Sequence, residues 1–271
     1  MSPGSISAKP AIAALAVFLA SGAAAQDSLQ DYVWTTKVST ALDYSSGKYG
    51  SANPTEIAFV PLTAQTSRGP LTFKGSTAWM SLSGPALILD GTESGGAGVD
   101  RKVNGIGDIN LSATYTLEQF YDRGLYIDLT ARVKAPAASF AKGLGTGKTD
   151  VAAQLDVSGS VGDVLPFLTA GYKFNGSPAT LALRNVFYGS LGLQYLWNQK
   201  VAVGVAYDYR QSSIKSSSDP QEGSLYLNVK LNDRLSMNVY GVAGFSSNSP
   251  TAGGGIVFTY RPDLGQLPNP K

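Results

Sequence analysis

The chemistry open to this chain is bounded first by two missing residue types. Histidine and cysteine are both absent from its 271 residues. A serine at its ordinary pKa is a poor nucleophile without a base beside it, so Ser–His and Asp–His arrangements are excluded. Zinc sites with His or Cys ligands go with them. Carboxylates remain. Asp128, Asp150 and Asp156 lie on neighbouring alternating segments and could approach one another. Arg132 and Lys134 lie among them, and the favoured reading is ion pairing on a shared wall, because half-buried charges need partners. Asp90, Glu93 and Asp100 offer oxygen atoms to calcium from a glycine-rich stretch, without the spacing of an EF-hand. Lys142–Thr149 (KGLGTGKT) has the composition of a phosphate-binding loop. It fails in context: Lys142 stands where the first glycine is required, and Asp150–Gly159 alternates as a strand where a helix N-terminus is needed. It reads as an external loop of turn residues. No enzymatic, metal or cofactor site is expected.

The elements that carry these side chains are strands. Apolar and polar residues alternate over about ten residues at a time, the period of a strand with two unlike faces. In Leu125–Lys134, Leu125, Ile127, Leu129 and Val133 face one way, and Tyr126, Asp128, Thr130, Arg132 and Lys134 the other. Ile109–Glu118, Val201–Arg210, Leu225–Leu231 and Leu235–Phe245 repeat the pattern, with Gly204 and Gly244 on the polar side. Thr55–Gln65 alternates poorly around Pro61, and a bulge is expected there. Short Asn/Asp/Gly turns at 67–69, 121–124, 162–163, 198–199 and 232–233 alternate with longer loops at 45–54, 83–105, 135–148, 175–184, 212–222 and 246–251. This spacing predicts an all-β fold: one transmembrane antiparallel up-and-down β-barrel of about twelve strands, spanning residues 26–261.

Almost every strand carries an ionisable residue on its polar face and almost none on its apolar face, so the apolar face is assigned to lipid. Trp34, Tyr44, Trp79, Tyr115, Phe174, Tyr195, Trp197, Tyr207, Tyr209, Phe245, Phe258 and Tyr260 fall near strand ends on or near that face, as interfacial aromatics do. The expected lumen carries Lys37, Lys74, Arg132, Lys134, Lys173, Arg210 and Lys230 against Asp43, Asp108, Glu118, Asp128, Asp150, Asp156 and Asp208. An even balance predicts weak ion selectivity, since ion-selective pores have one-sided linings. Tyr126, Tyr226 and Tyr240 either stack on a passing solute or fill the interior. The longest loop, 83–105, is the expected constriction through Leu87, Ile88, Leu89 and Asp90, or else extends a strand.

Residues 1–25 read as a secretory signal peptide: Lys9, an apolar run over Ala11–Ala20, and a small-residue site at Ala23–Ala25. Its removal leaves 20 basic and 19 acidic residues, a balance that implies no nucleic-acid partner. Residues 262–271 form a Pro-rich tail expected in the periplasm.

Several segments are similar to an outer-membrane transporter family labelled as a component of the meta-pathway of phenol degradation. The resemblance rests on Asp43-Tyr44-Ser45-Ser46-Gly47-Lys48-Tyr49-Gly50, Asn104-Gly105-Ile106-Gly107-Asp108-Ile109, Val133-Lys134-Ala135-Pro136, and Gly143-Leu144-Gly145-Thr146-Gly147 with Asp150. Ala137 and Ala138 depart from the family pattern, as does the tail beyond Tyr260. The resemblance implies a barrel in the outer membrane of a Gram-negative cell and passage of small, including aromatic, compounds. The expected partners are outer-membrane lipid, the barrel-assembly machinery and a small-molecule solute. The expected function is facilitated diffusion of small neutral or amphipathic solutes through a narrow bore. The alternatives are a closed structural or adhesion barrel and a soluble periplasmic β-protein.

Overall fold

In the computed structural model, residues 33–86 and 101–262 are described. The strand segments are β1 (Thr35–Gly47), β2 (Thr55–Arg68), β3 (Leu71–Gly84), β4 (Arg101–Ile106), β5 (Ile109–Thr116), β6 (Leu125–Ala135), β7 (Asp150–Gly159), β8 (Val164–Phe174), β9 (Val186–Leu196), β10 (Val201–Arg210), β11 (Gln221–Lys230), β12 (Leu235–Gly244) and β13 (Ala252–Tyr260). β4 and β5 both pair with β3 and form two halves of one stave. Every other strand pairs antiparallel with its neighbours in the chain, and β1 pairs with β13. The result is a closed antiparallel barrel of 12 strands, as the alternation predicts. Closure removes the unpaired edges that an open sheet would leave.

The break between β4 and β5 has a consequence for the interior. Ser76 and Trp79 of β3 pair with Asn110 and Ile106, so two residues on β3 oppose three on the broken stave. This is a β-bulge, and it inverts the alternation. Gly105 faces inward before it and Asn110 faces inward after it. The Gly107 amide closes the break by donating to the Ala78 carbonyl (2.7 Å). The bulge expected at Pro61 is absent. β2 keeps one register along both neighbours. Proline lacks an N–H, so the ladder to β1 skips Ala41–Pro61 without inserting a residue. Ile57 and Phe59 therefore point inward and Leu62 outward. This stave is apolar on both sides, and its alternation is poor for that reason.

The outer surface is a band of Leu42, Leu111, Leu129, Leu155, Leu193, Val205, Leu225 and Ile256, all exposed. Among the described residues, charges at outward strand positions occur only near strand ends, at Glu56, Arg68 and Lys102. Trp34, Tyr115, Tyr195, Trp197 and Tyr260 ring the short-turn end, and Tyr44, Phe174, Phe187, Tyr209 and Phe245 the long-loop end. Of the aromatics named from the sequence, all are exposed except Tyr207, which is half-buried and stacked on Phe245. A soluble sandwich would turn this band inward; the barrel turns it out.

Part of the wall is built by rings lying on glycines. A β-carbon at Gly171 would collide with Tyr188, at Gly204 with Tyr226, and at Gly192 with Phe167. Each ring crosses to the adjacent strand and lies against bare backbone. Below them a ladder of amides is fully buried: Asn228 donates to Gln194 (2.9 Å) and Asn238 to Asn228 (2.6 Å).

Candidate solute pathway

The sequence-derived interior positions are placed by register. Lys37, Lys74, Tyr126, Asp128, Arg132, Lys134, Asp156, Lys173, Asp208, Arg210, Tyr226 and Lys230 all occupy inward positions of their strands. Asp108 reaches the same interior from the bulge. Glu118 does not belong to the wall: β5 stops at Thr116, and Glu118 opens a 3-10 turn, Glu118–Arg123. Tyr226 and Tyr240 are 4% and 5% exposed, so neither offers a ring face to a solute. Tyr240 instead donates to Asp43. Tyr126 packs on Tyr121 (5.2 Å between centroids). Lys230 turns down to Asp233 in the short turn (2.7 Å) and lies at the rim.

At the long-loop mouth the segments of the motif resemblance converge. Lys134 is 5% exposed and meets Asp150 (2.7 Å) and Asp108 (3.3 Å), and donates to Thr146 (3.1 Å). Asp108 accepts the Ala137 and Ala138 amides (3.0 and 2.9 Å), and Asp150 accepts the Gly176 amide (2.8 Å). These contacts anchor the loop of residues 136–149 at the mouth and bury Ala138. Gly143–Thr146 are buried, and Leu144 joins Ile57, Met80, Leu82 and Ala86 in one apolar cluster. Left-handed backbone at Gly143 (φ 63°) and Gly147 (φ 65°) allows the reversal. A β-carbon on Gly145 would strike Ala138 and Asp108.

The segment read as an external loop of turn residues thus folds partly inward: Gly143–Thr146 are buried, while Lys142 and Gly147–Thr149 stay exposed. Its glycines make the turns, but it packs against the wall where the sequence reading placed it outside. Leu87, Ile88, Leu89 and Asp90, the constriction expected from sequence, lie outside the described residues. So do Glu93 and Asp100. Asp128 and Asp156 are direct cross-strand partners, yet each is held by hydroxyls: Thr116 donates to Asp128 (2.6 Å) and Thr169 to Asp156 (2.6 Å). Asp150 pairs with Lys134, as the ion-pair reading expected.

Register places eight further charges in two rows, with Asp43, Arg101 and Arg210 in neither. One runs Lys37, Gln65, Lys74, Ser112, Arg132, Ala152, Lys173, each the direct partner of the next. The other runs Glu222, Asp208, Ser190, Thr169, Asp156, Asp128, Thr116. One row holds only cations among its charges and the other only carboxylates. On β6 and β8 they are separated by four residues, about 13 Å along the strand. Glu222 is absent from the lumen set expected from sequence because Ser212–Glu222 reads as a loop. The alternation Glu222, Ser224, Tyr226, Asn228, Lys230 was the available signal.

The chain superposes on an outer membrane channel from Pseudomonas putida F1 with a TM-score of 0.65 and 14% identity, covering 87% of this chain and 100% of that one. It also superposes on the KdgM porin in complex with disordered oligogalacturonate, at a TM-score of 0.53 and 8% identity over 83% of this chain and 98% of that one. The shared property is the barrel fold. No family model matches the sequence, and no curated protein does. The resemblance to the phenol meta-pathway family therefore rests on the quoted motifs alone.

Proposed function

We propose that the protein is an outer-membrane channel for facilitated diffusion of small neutral or amphipathic solutes, aromatic ones included, through a narrow bore. The observation that carries this reading is the closed ring itself: an apolar band outside, polar residues inside, and aromatic girdles at both ends. By the habit of such barrels the short turns face the periplasm and the long loops the exterior. Export would use residues 1–25 as a signal peptide, and insertion the barrel-assembly machinery. The likeness to an outer membrane channel and to a porin supports the reading at the level of fold.

A specific observation favours a second reading, a closed structural barrel. Gln194, Asn228 and Asn238 are 0–1% exposed, and Gly143–Thr146 of the mouth loop are buried, so part of the interior is packed. Swelling of reconstituted vesicles with sugars, amino acids and phenolics separates the two. The channel reading expects swelling above protein-free vesicles that falls with solute size. Absence of swelling together with zero conductance assigns the closed barrel.

A further inference from the structure

We infer that the cation row is a track for small organic anions, the carboxylate-bearing members of the amphipathic class. This inference rests on the channel reading and names the solute's charge. Lys37 lies near the short-turn end of β1 and Lys173 near the long-loop end of β8. Between them the row crosses consecutive staves at direct cross-strand positions. Strands of such barrels tilt by roughly 35–45°, so a row perpendicular to them climbs as it turns. The cations form a ramp from one end of the barrel to the other. The tally of charges is even, but their placement is not.

Accessibility separates the two rows further. Lys37, Lys74 and Arg132 are half-buried, whereas Lys173 is 7% exposed, so three of the four cations keep part of the side chain open to the interior. Asp128, Asp156 and Glu222 are buried to 5–6% exposure. The oxygens of Asp128 and Asp156 already accept from Thr116, Thr169 and Gln154. Asp208 is half-buried, so the contrast holds for three of the four residues in each row: three carboxylates are hidden where three cations are not. Lys74 and Arg132 also act electrostatically on Asp156 across the gap. A passing carboxylate would exchange contacts from one cation to the next. Low-dielectric walls concentrate such a field along the bore, and one-sided linings set ion preference.

The test is the zero-current potential of single channels in planar bilayers across a potassium chloride gradient, repeated with potassium acetate. The wild type is expected to favour the anion in both salts. Lys37→Gln with Lys74→Gln should lower the anion-to-cation permeability ratio severalfold, while Lys74→Arg retains it. Ser112→Glu inserts a carboxylate between Lys74 and Arg132 without removing either, and should give the same fall by an independent route. Lys102→Gln, on the outer face, should leave the ratio unchanged. Heat-modifiable gel migration verifies folding of each variant. Cation preference, no preference, or a ratio unmoved by both the paired replacement and Ser112→Glu overturns the track and leaves the channel intact. A folded protein without conductance overturns the channel reading and the track together.

Discussion

The wall around β4–β7 and the wall around β9–β12 close the same interior by different means. The first uses charge: Lys134 between Asp108 and Asp150, with the loop of residues 136–149 anchored at the mouth behind them. The second carries Asp208, Arg210 and Glu222 near its long-loop end but closes beyond them with neutral groups: the Gln194–Asn228–Asn238 ladder, and Tyr226 laid on Gly204. The difference is one of reversibility. A buried ion pair is held by partners whose loss leaves an uncompensated charge. An amide ladder and a ring on a glycine are held by shape and hydrogen bonds, and have no charge to strand. The charged wall is the one whose closure can be undone by a single side chain.

Breaking the charged wall is expected to have the largest effect. Lys134→Ala leaves Asp108 and Asp150 buried without their cation and should cost about 3–5 kcal/mol, read from urea unfolding in lipid vesicles. The same variant should raise single-channel conductance, because residues 136–149 lose their anchor. Unchanged conductance in folded protein would place the constriction elsewhere.

Leu227→Arg probes the outer band of the neutral wall. A cation there faces hydrocarbon and should destabilise by about 2–4 kcal/mol near the midplane, by the same unfolding measurement. If it cost nothing, the assignment of this face to lipid would be wrong.

Gly204→Val tests the ring-on-glycine joint. The added side chain displaces Tyr226, and overpacking of this kind costs about 1–3 kcal/mol. Gly241→Val provides the contrast, since a β-carbon there meets only a backbone oxygen at 3.9 Å. Equal losses at the two positions would show that the ring contact contributes nothing.

The smallest effect concerns the loops above the neutral wall. Asp219 accepts from the Ser212 amide (2.8 Å), the Tyr209 hydroxyl (2.8 Å) and Arg184 (3.1 Å). Burial works to raise its carboxyl, but these donors and the Arg184 charge outweigh it and hold the group below its ordinary range. A lowered carboxyl stabilises above the unfolded value and loses that contribution as pH falls through the folded one. Asp219→Asn should therefore loosen residues 211–220 at neutral pH by about 1 kcal/mol, measured as proteolytic nicking. The wild type should approach the variant only below about pH 4. A difference that persists in stronger acid would rule out the carboxylate as the cause.

Legibility in the sequence followed locality. The alternation of Leu125–Lys134 places Asp128, Arg132 and Lys134 on one face with no knowledge of the neighbours. The missed features are those that alternation does not encode. Ile57 and Phe59 obscured the β2 pattern because that stave is apolar on its inner side too. Glu118 followed the period but fell past the strand's end. Residues 142–149 look like solvent-loving turns because glycine has no side chain to show where it packs.

The sequence alone determined that the chain is a barrel with a lipid-facing side, since a period of two and a rhythm of short and long connections are local properties of the chain. Tertiary structure alone decided which charges meet. Pairing Lys37 with Gln65, or Asp208 with Glu222, depends on the register between strands, and one bulge at Gly107–Asp108 inverts the inward positions of β5 relative to β4. The anchoring of residues 136–149 at the mouth is likewise set by Asp108, Lys134 and Asp150, which are brought together only when three staves close side by side.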